Sequence, residues 1–300
     1  MRVKIWPLIK ESVSGFISVS APRLAAATAF YAMLSLAPLL VAAVAAAAIF
    51  FGPAAARGEL TSQMGRHIGP EAAKLVQDVL QNSQQDSSGP LAVALGAALL
   101  LVGASAVFRV MQEAMDVIWE VQAKPRKALL SFILQRLASF LMILVLGGLV
   151  VASMASTSLL QALRSLLPAS TSPVAAVLWK VAGYAVQLAL LTLLVALTFK
   201  VLPDARVTWR DASLGAFITG VLILVGNFGI AMYLSRASTT TAYGAAGSLA
   251  IMLLWIYYTM MIFYFGAQVT HIYARQAGRG IVPRKHAVKL EPPPSEQPAH

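Results

Sequence analysis

Six long apolar segments dominate this sequence and limit what it can fold into. They lie near residues 24–51, 91–110, 132–156, 174–200, 212–234 and 245–273. About 20 helical residues cross the ~30 Å hydrocarbon core of a bilayer, so each segment is long enough to span it. The chain is 58% hydrophobic and 12% charged, whereas soluble domains are roughly a quarter charged. The sequence therefore predicts an all-α membrane protein whose residues 24–277 form a six-transmembrane-helix bundle.

The first 23 residues have a different pattern. A cleaved signal peptide has an apolar region of roughly 7–15 residues, whereas the apolar run that follows here extends for about 28 residues. We therefore expect residues 1–23 to be retained as an amphipathic helix that lies in the membrane interface. Its apolar side chains recur at helical spacing, opposite Lys4, Lys10 and Glu11: Ile5, Trp6, Ile9, Val13, Phe16 and Ile17.

Basic residues are distributed unevenly among the loops. Seventeen of the 23 Lys and Arg residues lie before the first segment, between the second and third, around the loop between the fourth and fifth, or after the sixth. Cytoplasmic loops are enriched in Lys and Arg, so this asymmetry predicts that both termini are cytoplasmic. The remaining six are Arg57, Arg66, Lys74, Arg164, Lys180 and Arg236.

Two regions outside the apolar segments also carry predictions. Within the external segment 52–90, an apolar stripe runs from Ile68 to Leu80, and Pro70 suits the first turn of a helix. A short amphipathic helix on the outer surface is therefore expected. Residues 278–300 hold several basic side chains and a triple proline without periodicity, which predicts a disordered, basic cytoplasmic tail.

Polar side chains within the apolar segments form stripes at helical spacing. Polar groups are costly in lipid, so they face a bundle interior or a wet cavity. Pro38 also lacks a backbone donor, which loosens the turn around Ser35. We expect residues of four segments to line one interior cavity. The candidates for a substrate path are Tyr31, Ser35, Pro38, Lys180, Tyr184, Gln187, Asn227, Tyr257, Tyr264 and Gln268.

Each of these stripes has a structural alternative. Tyrosines near helix ends form an interfacial belt, and Gln187 or Asn227 could join helices by hydrogen bonds. The stem of Lys180 is long enough to reach the outer headgroups. A row of small residues in the fifth segment predicts close helix packing: Ala212, Ala216, Gly220, Gly226 and Gly229.

Glu113, Asp116 and Glu120 share one face of the predicted cytoplasmic continuation of the second segment. Such carboxylates can bind a divalent cation or accept protons. Because Arg109 and Lys124 are near in sequence, a solvated helix face with ion pairs is the commoner outcome. We therefore predict no metal site.

Four sequence stretches carry a family resemblance: AAATAFYAMLSLAPLL (25–40), EAMDVIWEV (113–121), LPDARVTWRDASLGA (202–216) and YGAAGSLAIMLLWIYYTMMIFYFGAQVTHIYA (243–274). In this order they resemble the YihY / virulence-factor BrkB family, once labelled ribonuclease BN. The resemblance implies six spans and a location in the bacterial cytoplasmic (inner) membrane. The chain differs from the usual family pattern at Asp116 and Asp204, where Asn is common, and at Gln268, where many members have Glu.

The resemblance and the polar stripes favour a transporter, exporter or flippase for a small or amphiphilic lipid-like substrate. The alternative is a non-transporting membrane scaffold or envelope-assembly factor. An enzyme is not expected, because the four histidines are dispersed and the sequence has no phosphate-binding loop and no HExxH motif. The predicted partners are the lipid bilayer and that substrate, without nucleic acid, cofactor or catalytic residues, and the oligomeric state is left open.

Overall fold

The computed structural model describes residues 5–36, 40, 106–123, 148, 173–236, 245–284 and 287–289, and single residues or pairs between 52 and 81. This part of the chain is mostly helical, as predicted. Its helices are α1 (Ile5–Ser18), α2 (Ala21–Leu34), α3 (106–118), α4 (Pro173–Val201), α5 (Trp209–Arg236) and α6 (Ala245–Gln276).

Three of these helices, α4, α5 and α6, are long and apolar enough to cross a membrane, and α1 and α2 together provide a fourth candidate. The bounds of α4, α5 and α6 differ from the predicted spans by at most three residues. Helix α2 begins at Ala21, slightly before the predicted start of the first span. Only residues 106–110 of the predicted span near 91–110 are described, within α3, and only residue 148 of the predicted span near 132–156. Most of the predicted external helix lies outside the described residues.

A sharp bend separates α1 from α2. The two helix axes differ in direction by 63°. At the junction Ser20 has a left-handed backbone with φ 52°. Pro22 follows in the first turn of α2. A backbone N–H has no acceptor within the helix at this position, so the proline costs no hydrogen bond. Helix α1 is therefore a separate helix and not an extension of α2.

One face of α1 packs against the C-terminal half of α6. Leu8 lies in an apolar cluster with Val269 and Ile272. The ring of Phe16 contacts that of Phe265, with centroids 5.8 Å apart. The other face of α1 is also apolar but is exposed, so α1 is anchored to α6 and presents a second apolar stripe outward: Trp6, Ile9, Val13 and Ile17.

Helices α5 and α6 interlock through two glycine–threonine pairs. A Cβ at Gly215 would overlap the hydroxyl of Thr270, and a Cβ at Gly266 would overlap the hydroxyl of Thr219. Each hydroxyl donates to the carbonyl four residues earlier on its own helix, over 2.7 Å for Thr219 and 2.9 Å for Thr270. The pairing is antiparallel, and hydrogen is the only side chain that fits at either glycine.

The row of small residues on α5 packs as predicted over most of its length. Ala212 and Ala216 are fully buried. A Cβ at Gly220 would touch Leu188 and Thr192 of α4, and Gly226 faces Tyr258 of α6. Among the described residues, a Cβ at Gly229 would meet nothing within 4 Å. The packing prediction is confirmed for Ala212, Ala216, Gly220 and Gly226.

Four short strands close one end of the helices. They are β1 (Val121–Ala123), β2 (Ala205–Arg206), β3 (Val282–Pro283) and β4 (Ala287–Lys289). Strand β1 pairs antiparallel with β4, and β2 pairs antiparallel with β3. We call these two pairs the strand clasp. It joins the segment after α3, the loop between α4 and α5, and the chain that follows α6.

The predicted disorder of residues 278–300 is therefore wrong for the described residues 278–284 and 287–289. Strands of two or three residues leave no periodicity in the sequence. The backbone groups of these strands form hydrogen bonds with partners that are distant in the chain. The sequence of the tail alone does not reveal those partners. Gly278 and Gly280, with φ 73° and 61°, allow the turn that starts this return.

An aromatic core lies next to the clasp. Trp119 and Phe199 are 6.0 Å apart between ring centroids, and Phe199 and Phe263 are 5.1 Å apart. The indole N–H of Trp119 donates to the carbonyl of Ala267 over 3.0 Å. The end of α3 is therefore fixed to α4 and α6 by packing and by a buried hydrogen bond.

Candidate functional site

A buried hydrogen bond joins α2 to α6. The hydroxyls of Thr28 and Tyr264 are 2.6 Å apart, and both residues are fully buried. Thr28 also lies 2.9 Å from the carbonyl of Leu24 and donates its one proton there. The hydroxyl of Tyr264 is therefore the donor to Thr28. Tyr264 is one of the predicted path residues, and this hydrogen bond gives its hydroxyl a buried partner.

Three further buried polar side chains lie where α1 meets α6. Ser12, Gln268 and His271 are each less than a tenth exposed. The Oγ atom of Ser12, Oε1 of Gln268 and Nδ1 of His271 have no hydrogen-bond partner within the described residues. Buried polar atoms are normally paired with protein or ordered water. This group, the α1–α6 polar cluster, is therefore suited to hold water or another hydrogen-bonding molecule.

The antiparallel contacts of the two helices support this grouping. Phe16 meets Phe265, and Glu11 pairs with Arg275 over 2.7 Å. Ser12 lies between these contacts on α1, and Gln268 and His271 lie between them on α6. The amide nitrogen of Gln268 also packs directly against Gly15. Ser12 is not among the residues predicted for the site, because a serine in a short helix usually indicates no more than a solvated position.

The ten predicted path residues do not share one environment. Ser35, Tyr264 and Gln268 are buried, whereas Tyr31, Lys180 and Tyr184 are exposed. Gln187, Asn227 and Tyr257 are half-buried. Pro38 lies outside the described residues. Among the described residues, Tyr264 pairs with Thr28 of α2 and Gln268 packs against Gly15 of α1, whereas Lys180 and Tyr184 are exposed on α4.

A separate cavity lies in the segment predicted to be external. Its volume is about 470 Å³. Among the described residues its one charged lining residue is Arg57, and its other side chains are amides and hydroxyls. The lining residues are Arg57, Gly58, Thr61, Ser62, Gln77 and Gln81.

The acidic face of α3 does not behave as one solvated surface. Glu113 fits the predicted solvated face, because it is exposed and pairs with Arg109 over 2.9 Å. Asp116 is instead only 8% exposed, and its Oδ1 accepts the backbone N–H of Asp204 over 2.9 Å. Burial is the main cause that raises the pKa of Asp116 to about 7. The prediction of a solvated face is therefore wrong for Asp116.

Two arginines that the sequence analysis placed in a disordered tail have structural partners. Arg279 forms a two-pronged ion pair with Asp211, which is 1% exposed at the start of α5. Hydrogen bonds to Asp211 raise the pKa of the Arg279 guanidinium. Thr208 donates to Asp211 over 2.7 Å and caps the helix. The sequence TWRD was a readable capping signal, but nothing in it identified Arg279.

Arg284 satisfies the C-terminal end of α4. Its guanidinium donates to the carbonyls of Lys200 over 2.9 Å, Val201 over 3.2 Å and Ala205 over 3.3 Å. These carbonyls include groups that a helix end leaves without internal partners, and a cation is favourable there. The backbone N–H of Arg284 also donates to the carbonyl of Asp204 over 2.9 Å. Arg284 therefore holds the tail and the α4–α5 loop together.

His271 is buried on α6, close enough to Glu120, Arg275 and Lys289 to feel their charges, and the other three histidines lie outside the described residues. In the described part of the chain, no three His, Cys, Asp or Glu side chains are close enough together to hold a metal ion.

Membrane-length helices that turn Thr28, Tyr264 and Gln268 inward define a helical integral membrane protein. More specifically, the chain belongs to the virulence factor BrkB family, which matches residues 12–291. The family resemblance seen in the sequence is thereby confirmed.

Curated relatives of the chain are all described as UPF0761 membrane proteins. One from Vibrio cholerae is 30% identical over 206 residues, which cover 68% of this chain and 65% of the relative. One from Paraburkholderia xenovorans is 28% identical over 83% of this chain and 55% of its own length. One from Pseudoalteromonas translucida is 26% identical over 87% of this chain and 83% of its own length. No solved structure matches the chain.

Proposed function

We propose that this protein is a transporter, exporter or flippase of a small or amphiphilic lipid-like substrate. The observation that carries the proposal is the α1–α6 polar cluster, whose three buried polar atoms have no partner in the described residues. Unpaired polar groups are costly in a membrane protein and mark substrate or ion pathways. The cavity beside Arg57 would give the substrate a second contact with polar side chains, on the predicted outer side.

The proposed topology has six spans in the inner membrane and both termini in the cytoplasm. The strand clasp supports it, because it gathers the segment after α3, the α4–α5 loop and the C-terminal segment at one end. These are three of the four regions that the charge pattern assigns to the cytoplasm, and the fourth, α1, packs against the last turns of α6.

The exposed stripe of α1 fits the proposed interfacial position of that helix. Trp6 and Ile17 are 75% and 67% exposed, although both are large apolar side chains. Tryptophan is enriched at membrane interfaces. Because α6 covers the other face of α1, the exposed stripe is left to contact lipid.

Reporter fusions test the topology. Fusions after Ser87 and Ser170 should be external, and fusions after Pro125, Asp204 and Ala287 should be cytoplasmic, because Lys and Arg concentrate on the latter side. Paired alkaline phosphatase and fluorescent protein reporters give opposite signals at each site. An external signal at Ala287 would contradict the six-span arrangement.

A non-transporting scaffold is the second candidate. The interlocked contact of α5 with α6 favours it, because Gly215 and Gly266 allow these helices to pack without space between them. We propose no enzymatic function, and in particular no ribonuclease activity, because the four histidines are dispersed along the sequence and it has no phosphate-binding loop and no HExxH motif.

Cysteine scanning separates the two candidates, since the native chain contains no cysteine. If a substrate path exists, cysteines at Ser35, Gln187, Asn227 and Gln268 should react with a small water-soluble maleimide. Amphiphiles that resemble the substrate should slow this reaction. Labelling is measured by mass shift in intact membranes.

Two control positions calibrate the labelling. Thr198 is buried and donates to the carbonyl of Leu194, so Thr198→Cys should remain inert. Phe217 is exposed on α5, so Phe217→Cys reports the reactivity of a surface that faces lipid. If all four test positions react no faster than these controls, the scaffold is favoured and the transport proposal fails.

A further inference from the structure

Asp116 joins three separate parts of the chain beside the strand clasp. Its Oδ1 accepts the N–H of Asp204, and the carbonyl of Asp204 accepts the N–H of Arg284, each over 2.9 Å. Asp116 lies on α3, Asp204 in the α4–α5 loop, and Arg284 between β3 and β4. One short series of hydrogen bonds therefore runs from α3 through the loop to the tail.

Within the described residues, the buried carboxyl group of Asp116 makes no ion pair, unlike Asp211, which pairs with Arg279. The nearest positive charge in this series belongs to Arg284, whose guanidinium is already bonded to the carbonyls of Lys200, Val201 and Ala205. A buried, unpaired carboxylate is strongly disfavoured, and binding a proton is its ordinary relief.

On balance, the surrounding charges also favour the protonated form of Asp116. Asp204 on the loop and Glu113 on α3 both repel a negative charge at Asp116, whereas Arg284 from the tail favours it. Desolvation of the carboxylate is larger than any of these effects. The neutral, protonated form therefore suits this position best.

We propose that Asp116 is a proton-binding site and that its protonation holds α3, the α4–α5 loop and the tail together in the strand clasp. When the proton leaves, a buried negative charge faces Asp204 and Glu113, and the clasp loosens. The proposal goes beyond the transport function and does not depend on any substrate.

The sign of the pH dependence follows from the raised pKa. The pKa of Asp116 rises from 3.8 to about 7 when the clasp forms. Between these values the closed form holds a proton that the open form releases, so closure is favoured at low pH and weakens as the pH rises towards 7. The clasp should therefore be closed in mildly acidic conditions and looser in mildly alkaline ones.

A spin label on the clasp tests this. Val288 is exposed on β4 opposite Gln122 of β1, so a nitroxide at Val288→Cys in the cysteine-free chain reports whether β4 is docked. Between about pH 4 and about pH 7, each pH unit weakens closure by about 10-fold. The mobile fraction of the label in liposomes should therefore rise as the pH increases towards about 7 and level off above it, because Asp116 is then ionised in both the open and the closed form.

Two substitutions on α3 identify the responsible group. Asp116→Asn keeps an acceptor for the N–H of Asp204 but cannot ionise, so the label should stay immobile at every pH. Glu113→Gln removes the exposed, ion-paired carboxylate whose repulsion of Asp116 is the weakest, so the titration should persist and shift only slightly to lower pH. A label whose mobility does not change with pH, or changes equally in Asp116→Asn, would overturn the proposal.

Infrared titration of the unsubstituted chain gives an independent result if Asp116→Asn does not fold. A protonated carboxyl band should be present at about pH 6 and be lost with a midpoint near pH 7. Loss of every such band below about pH 5 would show that Asp116 titrates as an ordinary aspartate, and the proposal would fail.

Discussion

Trp119→Ala is expected to reduce the free energy of unfolding by about 3–5 kcal/mol. The indole is 1% exposed, packs edge-on against Phe199, and donates its N–H to the carbonyl of Ala267. Its removal leaves a cavity between α3, α4 and α6 and takes away the indole hydrogen bond to the carbonyl of Ala267. Thermal unfolding of the purified protein in detergent measures the loss, and the strand clasp should become accessible to protease at lower temperature.

Two controls separate packing from hydrogen bonding. Trp119→Phe retains a ring and removes the N–H donor, so it should cost only about 1–3 kcal/mol. Trp6→Ala removes the same side chain where it is 75% exposed, and should change stability by about 0.5 kcal/mol or less. Equal losses at Trp119 and Trp6 would contradict the assignment of Trp119 to a buried core.

Gly266→Ala should destabilise the α5–α6 contact by about 1–3 kcal/mol. Alanine favours a helix over glycine by about 1 kcal/mol, so a net loss requires a steric cause. The new methyl group would overlap the hydroxyl of Thr219. Denaturation in mild detergent, monitored by helical circular dichroism, gives the change in stability.

Matched glycines on the neighbouring helices isolate the steric cause. A Cβ at Gly183 or Gly229 would meet no atom within 4 Å among the described residues, so alanine there should be neutral or mildly stabilising. Combining Gly266→Ala with Thr219→Ala removes the opposing hydroxyl and should recover most of the loss. If the double variant is no better than Gly266→Ala, the interlocked packing is wrong.

The helices were predictable because their signals are local. The long apolar runs identified α4, α5 and α6 to within three residues at each end. The spacing of Ala212, Ala216 and Gly220 identified the packed face of α5. Such patterns repeat within one helix, so a single segment contains enough information to read them.

The strand clasp was not predictable for the opposite reason. Asp116 and Asp204 are 88 positions apart, and Gln122 pairs with Val288 across an even longer separation. A three-residue strand has no periodicity that reveals its partner. The burial of Asp116 and the roles of Arg279 and Arg284 follow from these distant pairings, so the sequence alone suggested a solvated face and a disordered tail.

The burial of the predicted path residues was predictable in part. Helical spacing selected Tyr264 and Gln268, which are buried, together with Tyr184, which is 52% exposed. A polar stripe states which residues share a helix face, but the direction of that face depends on how the helices pack. Ser12 belongs to the α1–α6 polar cluster because α1 packs antiparallel against α6. No local sequence pattern indicates that contact.

The pairing of β1 with β4 also orders the protein's biosynthesis. Residues 121–123 leave the ribosome long before residues 287–289, and every later helix must be made in the interval. Strand β1 and the loop that carries β2 must therefore wait without their partners until β3 and β4 have been translated. The end of the bundle that carries the strand clasp is thus the last part to assemble, and a nascent chain stopped at Gln276 would have its membrane-length helices but not the strands β3 and β4 that close that end.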